Sequence, residues 1–285
     1  MSRRSVAPGH LRSGGDSWSG LHCAARQARR SGLNAPPWRG ALAGLEAGGP
    51  WFDPWRDAGK RVANALESGA TLPQALNQQA PPTVRFVPPD DLPPGTAYEQ
   101  YVFDTGHCPT REDLHDFFNG LAWLVLPRAK RQLNRVHVAQ IAANGIGGQR
   151  GPVRDAATLF DENGAVLSGP EPLWAALAER DWQRLFVGLR PLWAHARVLV
   201  VGHALLEKLA APRKNLTAHI WAQPCPGGAN AAIDAWLAGQ LTAERLAAKP
   251  FLPLPVLGIP GWWPGNEDIS FYDDPLVFRA PRRPV

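Results

Sequence analysis

Residues 110–144, "TREDLHDFFNGLAWLVLPRAKRQLNRVHVAQIAAN", decide how the rest of the chain is read. Pro109 precedes the stretch, Thr110 reads as an N-cap, and Glu112 and Asp113 fall in a first turn where the helix dipole favours negative charge. At about 100° per residue, Leu114, Phe117, Phe118, Leu121, Leu124 and Val125 share one face, the stripe expected to pack on a core. Glu112, His115, Asp116 and Asn119 share the opposite face, with Trp123 in the same sector. With Leu126 and Ala122 nearby, that aromatic implies that the far half of the face is covered by other chain, and a half-covered polar face is a cleft wall. Pro127 closes this helix and opens a second one, because proline is suited to the first helical position, and Asn144 with Gly145 ends it. Lys130, Asn134, His137 and Ile141 line up beside Leu133 and Val136, while Arg128, Arg131 and Arg135 form an outer stripe.

Working outward, residues 56–66 and 72–79 have helical spacing. "TVRFVPPDDLPPG" (83–95) reads as a short strand closed by prolines, and "YEQYVFDTG" (98–106) as another strand. "AATLFDENGAVLSG" (156–169) reads as a β-hairpin, two apolar runs around a turn-rich "DENG". Residues 171–186 read as a helix, 197–212 as a buried strand running into a helix, 215–222 as a strand and 231–248 as one helix. The proline-punctuated segment 251–283 reads as irregular extended chain. These signals predict an α+β fold, helix-rich with a hairpin and a few short strands, without βαβ alternation.

Residues 1–32 hold six arginines and one acid of the chain's 30 basic and 25 acidic residues, so the remainder balances at 24 of each. The basic pI therefore belongs to the tail, which argues against a nucleic-acid-binding face. The expected organisation is a disordered basic tail (1–33), a Pro/Gly-rich connector (34–50) and a single globular domain (51–285). Cys23, Cys108 and Cys225 form no C-x-x-C pair, so neither a disulfide framework nor a cysteine metal site is expected. With no membrane-length apolar run and no secretory h-region, the expected location is the cytoplasm.

Four segments in this order, "TREDLHDFFNGLAWLVLPRAKRQLNRVH", "RDAATLFDENGAVL", "VGHALLEK" and "PLPVLGIPGWW…FYDDPLVFR", carry a likeness. Over residues 50–285 the chain resembles a bacterial family called domain of unknown function 3025. That resemblance implies no activity, cofactor or partner.

The function argument therefore rests on side chains. His115 can exchange protons near neutral pH, with Asp116 and Asn119 to orient a substrate, water or ion. His203 stands where a strand meets a helix, and Glu207, one turn on, shares its face, so the two can ligate a metal or pair with each other. Asp155, Asp161 and Glu162 lie on the expected hairpin, where carboxylates can hold a divalent cation; Asp161 is equally an ordinary turn residue. Arg111, Lys130, Asn134, Arg154, Trp262 and Trp263 are candidate binding residues. His137 and His219 read as packed histidines, and Cys108, lacking a base, is set aside as a nucleophile. "GIGGQRG" (145–151) follows a helix rather than a strand and reads as a loop, and "GDSWSG" (15–20) mimics a protease string within the tail.

No H-E-x-x-H, G-x-S-x-G, P-loop or Rossmann fingerprint is present in context. The leading expectation is a small-pocket hydrolase using His/Asp acid–base chemistry, with or without a divalent metal. The rival is a binding module using the Trp/Pro-rich C-terminal segment or the Arg128, Arg131, Arg135 stripe.

Overall fold

A computed structural model describes residues 45, 48–145 and 151–280. The loop read from "GIGGQRG" and the basic tail fall largely or wholly outside these residues. Ten helices are described: α1 (Arg56–Glu67), α2 (Leu72–Asn77), α3 (Tyr98–Thr105), α4 (Leu114–Val125), α5 (Pro127–Asn144), α6 (Pro152–Asn163), α7 (Glu171–Glu179), α8 (His203–Leu209), α9 (Asn230–Gln240) and α10 (Ala243–Ala247). Six strands accompany them: β1 (Arg85–Val87), β2 (His107–Pro109), β3 (Gly164–Ser168), β4 (Arg197–Val200), β5 (Thr217–Trp221) and β6 (Phe251–Pro255). β1 and β2 form a parallel pair, and the other four a mixed sheet in the order β4-β3-β5-β6. The fold is helix-rich α+β, as the patterning predicts.

Four local expectations fail, each for a physical reason. Residues 98–105 form helix α3, not a strand; Gly106 ends it at φ 70°, a left-handed C-cap that suits glycine. The expected hairpin is helix α6 running into β3. Pro152 takes the first-turn position after Gly151, and Val153, Ala156, Ala157 and Phe160 recur at helical spacing and are buried. Thr110 is not the N-cap of α4: its hydroxyl bonds Cys108 O at 2.8 Å, and Asp113 caps instead, accepting from Asp116 N at 2.8 Å. Residues 231–248 split into α9 and α10, because Thr242 starts a new cap, accepting from Arg245 N.

β6 corrects the reading of the C-terminal segment as wholly irregular. It pairs antiparallel with β5 from Phe251 opposite Trp221 to Pro255 opposite Thr217. Val256 N donates to Leu216 O, which turns that parity of amides inward and leaves Pro253 and Pro255 on the free edge, where no donor is required.

Phe117, Phe118 and Leu121 on α4 are fully buried, each contributing roughly 2 kcal/mol by leaving water. α5 begins without a local side-chain cap, and buried Asp234 on α9 supplies one from a distance, accepting from Arg128 N at 3.1 Å and Ala129 N at 2.8 Å. This anchor fixes the rotation of α5, and with it the inward direction of Lys130.

Candidate active site

Two helix starts and one helix end converge on the polar face of α4. His115 sits in the first turn of α4, His203 opens α8, and Glu162 lies near the C-terminus of α6. The approach depends on Gly202: a Cβ there would run into Glu162 O and Asn163 N. Val201 N and Gly202 N both donate to Gly164 O at 2.9 Å, which ties the start of α8 to the start of β3.

His115 Nδ1 lies 3.1 Å from Glu207 Oε2, so the carboxylate selects the tautomer with a proton on Nδ1 and leaves the Nε2 lone pair facing outward. That Nε2 meets His203 Nε2 at 3.1 Å. Glu162 Oε1 is 3.7 Å from His203 Nε2, and ligand atoms of His115, Glu162 and His203 all lie within 4.8 Å of one another. His203 is 4% exposed; its Nδ1 has no hydrogen-bond partner and faces Asp161 Oδ2 at 3.7 Å. Burial, which disfavours the imidazolium, pushes the His203 pKa down to about 4, against the opposing pull of Asp161. Burial likewise raises the Glu162 carboxyl above its ordinary value, a shift His115 opposes.

The cleft measures about 390 Å³, and its lining includes His115, Trp123, Lys130, His137, Glu162 and His203. Lys130, 6% exposed, donates to Asp161 Oδ1 at 2.6 Å and lies 5.8 Å from the Trp123 ring centroid. Burial alone would raise the Asp161 carboxyl; the Lys130 ammonium outweighs it and holds Asp161 below its ordinary value. Asp116 accepts a fork from Arg111, Nε to Oδ2 and Nη2 to Oδ1, both at 3.0 Å, and the Arg111 backbone amide at 2.6 Å. Those bonds raise the Arg111 pKa further. Asn119 donates to Tyr98 OH at 3.4 Å, and that hydroxyl meets Cys108 Sγ at 3.0 Å. Burial pushes Cys108 up to about 11, so it is a packed thiol at neutral pH.

The structure thus brings His115, Asp116, Asn119, His203, Arg111, Lys130, Asn134 and Asp161 to one cleft, with Glu207 against His115. Glu207 pairs with His115 across on α4 instead of with His203 as helix spacing implied, and the acid near His203 Nε2 is Glu162. Asp155 is exposed in the first turn of α6, outside the cleft, as is half-buried Arg154. Trp262 is buried against Trp51 at 5.9 Å between ring centroids, and Trp263 is partly buried; neither lines the cleft. Arg128, Arg131 and Arg135 are exposed. Glu162, read from sequence as part of a hairpin turn, is the acid beside the histidines; helical spacing from Phe160 back to Val153 was the signal that could have placed it.

A family model described as "Protein of unknown function (DUF3025)" matches residues 84–282. The chain belongs to the DUF3025 family. All the cleft side chains named above fall inside the matched span, so the site is part of the DUF3025 region rather than an addition to it. No curated protein and no solved structure matches the chain. No described helix is long and apolar enough to cross a membrane.

Proposed function

We propose that the cleft is the active site of a divalent-metal-dependent hydrolase, with His115 Nε2, His203 Nε2 and Glu162 Oε1 as zinc ligands. The supporting observation is the pair of Nε2 atoms facing each other at 3.1 Å. With Glu207 fixing the proton of His115 on Nδ1, the two Nε2 atoms stand at hydrogen-bond distance and are directed at one point, and a cation seated between them takes the place of the proton they share. Nitrogen ligands about 2.0–2.1 Å from a tetrahedral zinc stand about 3.3 Å apart, which fits spacings of 3.1 and 3.7 Å. Two imidazoles and one carboxylate favour zinc over magnesium or calcium, which take oxygen ligands. Three protein ligands leave a fourth position open, as catalytic zinc sites do.

A metal held there supplies Lewis acidity and a water activated at neutral pH. The chain's own residues do the rest. Glu207 orients His115, Trp123 narrows access to water, and Asn119 and Tyr98 present polar groups to a bound substrate. Lys130 balances Asp161 beside His203, keeping that carboxylate ionised next to the ligand.

Elemental analysis of protein purified without chelator tests the reading. About one zinc per chain is expected in wild type and less than a tenth of that in His203→Ala, with ester or amide hydrolysis lost on chelation and restored by zinc. Protein that is metal-free and takes up no zinc on titration overturns it. Hydrolysis persisting in such protein would point instead to His115 and Glu207 as a metal-independent base pair.

A further inference from the structure

Beyond the histidine cluster the cleft continues to a second polar wall formed by α3 and α5, where Glu99, Asn134 and His137 stand. His137 is 7% exposed and its Nδ1 has no hydrogen-bond partner; the nearest carboxylate oxygen, Glu99 Oε1, is 4.0 Å away. That gap is too wide for a hydrogen bond and suits a donor seated between the two atoms. Asn134 uses its amide N–H on Glu99 O at 2.7 Å, leaving its side-chain oxygen as a third acceptor. Burial, which favours the uncharged ring, lowers the His137 pKa against the opposing pull of Glu99.

The charges around the cleft point the same way. Asp161 is matched by Lys130 and Asp116 by Arg111, while Glu162 faces the histidine pair and Glu207 holds His115. Glu99 has no lysine or arginine ion pair among the described residues. Arg154, whose charge also acts on His137, is not part of the lining.

From this arrangement we infer that Glu99, Asn134 and His137 form a subsite for a primary ammonium group, making the substrate an amine-bearing ester or amide. Glu99 Oε1, Asn134 Oδ1 and, with the ring proton on Nε2, His137 Nδ1 supply three acceptors for the three N–H donors of an ammonium, and the Glu99 carboxylate matches its charge. A hydroxyl has one donor for these acceptors and no charge for Glu99. This substrate class rests on the hydrolase reading, whereas the subsite itself stands on its own side chains.

Titrating the protein with n-butylammonium chloride and with butan-1-ol, followed by NMR at the Asn134 side-chain amide, tests the subsite, with zinc content measured separately. Butylammonium is expected to bind at least tenfold more tightly than the alcohol in wild type. Glu99→Gln should abolish that preference without changing zinc content or the thermal midpoint by more than a few degrees. Equal binding of the two probes by wild type overturns the subsite, needing no variant, and so does a preference that survives in Glu99→Gln. Zinc binding without amine preference removes the subsite and keeps the metal; amine preference in protein that takes up no zinc keeps the subsite and removes the metal.

Discussion

The C-terminal segment and the cleft are both rich in aromatic and polar side chains, yet they treat their polar atoms in opposite ways. In the C-terminal segment, buried Asn266 donates to Leu257 O at 2.8 Å and Ile259 O at 2.7 Å, and Tyr272 OH donates to Gly258 O at 2.9 Å. Arg190 spans Asn266, Tyr272 and Glu267. Phe186 stacks on Tyr272 at 5.3 Å, and Phe278 meets both rings edge-on at 5.9 and 5.2 Å. Each of these polar groups is closed on the protein itself, the pattern of a clasp that holds the segment down. In the cleft, His203 Nδ1 and His137 Nδ1 are buried without partners, and two Nε2 atoms point at each other. A buried polar atom without a partner costs roughly 1–3 kcal/mol, so a stable chain tolerates such atoms where something else repays the cost. In these two regions the difference lies in the histidines: the clasp's Asn266 and Tyr272 are bonded to backbone, whereas two cleft imidazoles keep a buried nitrogen unbonded.

Exchanging one residue in each region breaks this comparison most sharply. His203→Ala should lower zinc affinity by more than a hundredfold while costing metal-free protein only about 1–2 kcal/mol, since the lost contact with His115 and the space left behind are partly offset by removing a partnerless Nδ1. Asn266→Ala should do the reverse, costing about 2–4 kcal/mol by denaturant unfolding through two stranded carbonyls, with zinc content intact. Lys130→Met comes next: it leaves Asp161 without its cation and should cost about 2–3 kcal/mol, less than for a fully buried pair because Asp161 keeps some water, and Lys130→Met with Asp161→Leu should recover most of that. Glu207→Gln should weaken zinc binding by about 10- to 100-fold in a competitive chelator titration, with little effect on folding.

The smallest effect concerns the thiols. Burial raises Cys108 and Cys225 from 9.0 to about 11, so the fold favours the protonated form. That stabilisation is present below about pH 9 and is lost as pH rises through 11. Site-resolved alkylation at pH 8 should leave both unlabelled in folded protein and label both in denaturant.

The helices of residues 110–144 were legible because each carries its own apolar stripe and the proline or glycine that bounds it, although the cap of α4 lies at Asp113 rather than Thr110. The polar face of α4, which Trp123 marks as partly covered, was legible from the same periodicity, and it located the cleft. What sequence hid was long-range: Glu207 bonding His115 across 92 positions, Lys130 meeting Asp161 across 31, Asp234 capping α5 across 105 and 106. None of these has a local signature. The hairpin reading failed because "DENG" is as good a helix end as a turn, and that error concealed Glu162. α3 was misread because Tyr98, Tyr101, Val102 and Phe103 favour strands in isolation, whereas packing against α5 and β2 decides for helix.

The two prolines on the outer edge of β6 bear on how the molecule meets its own copies. An exposed strand edge is a template on which a second chain can add a strand, the first step toward fibrous aggregates. Pro253 and Pro255 remove the outward amides such a strand would need, so the sheet ends there by its own chemistry. The two prolines thus close the edge of the sheet without a covering strand, and replacing the partly exposed Pro253 with valine would restore one outward amide there.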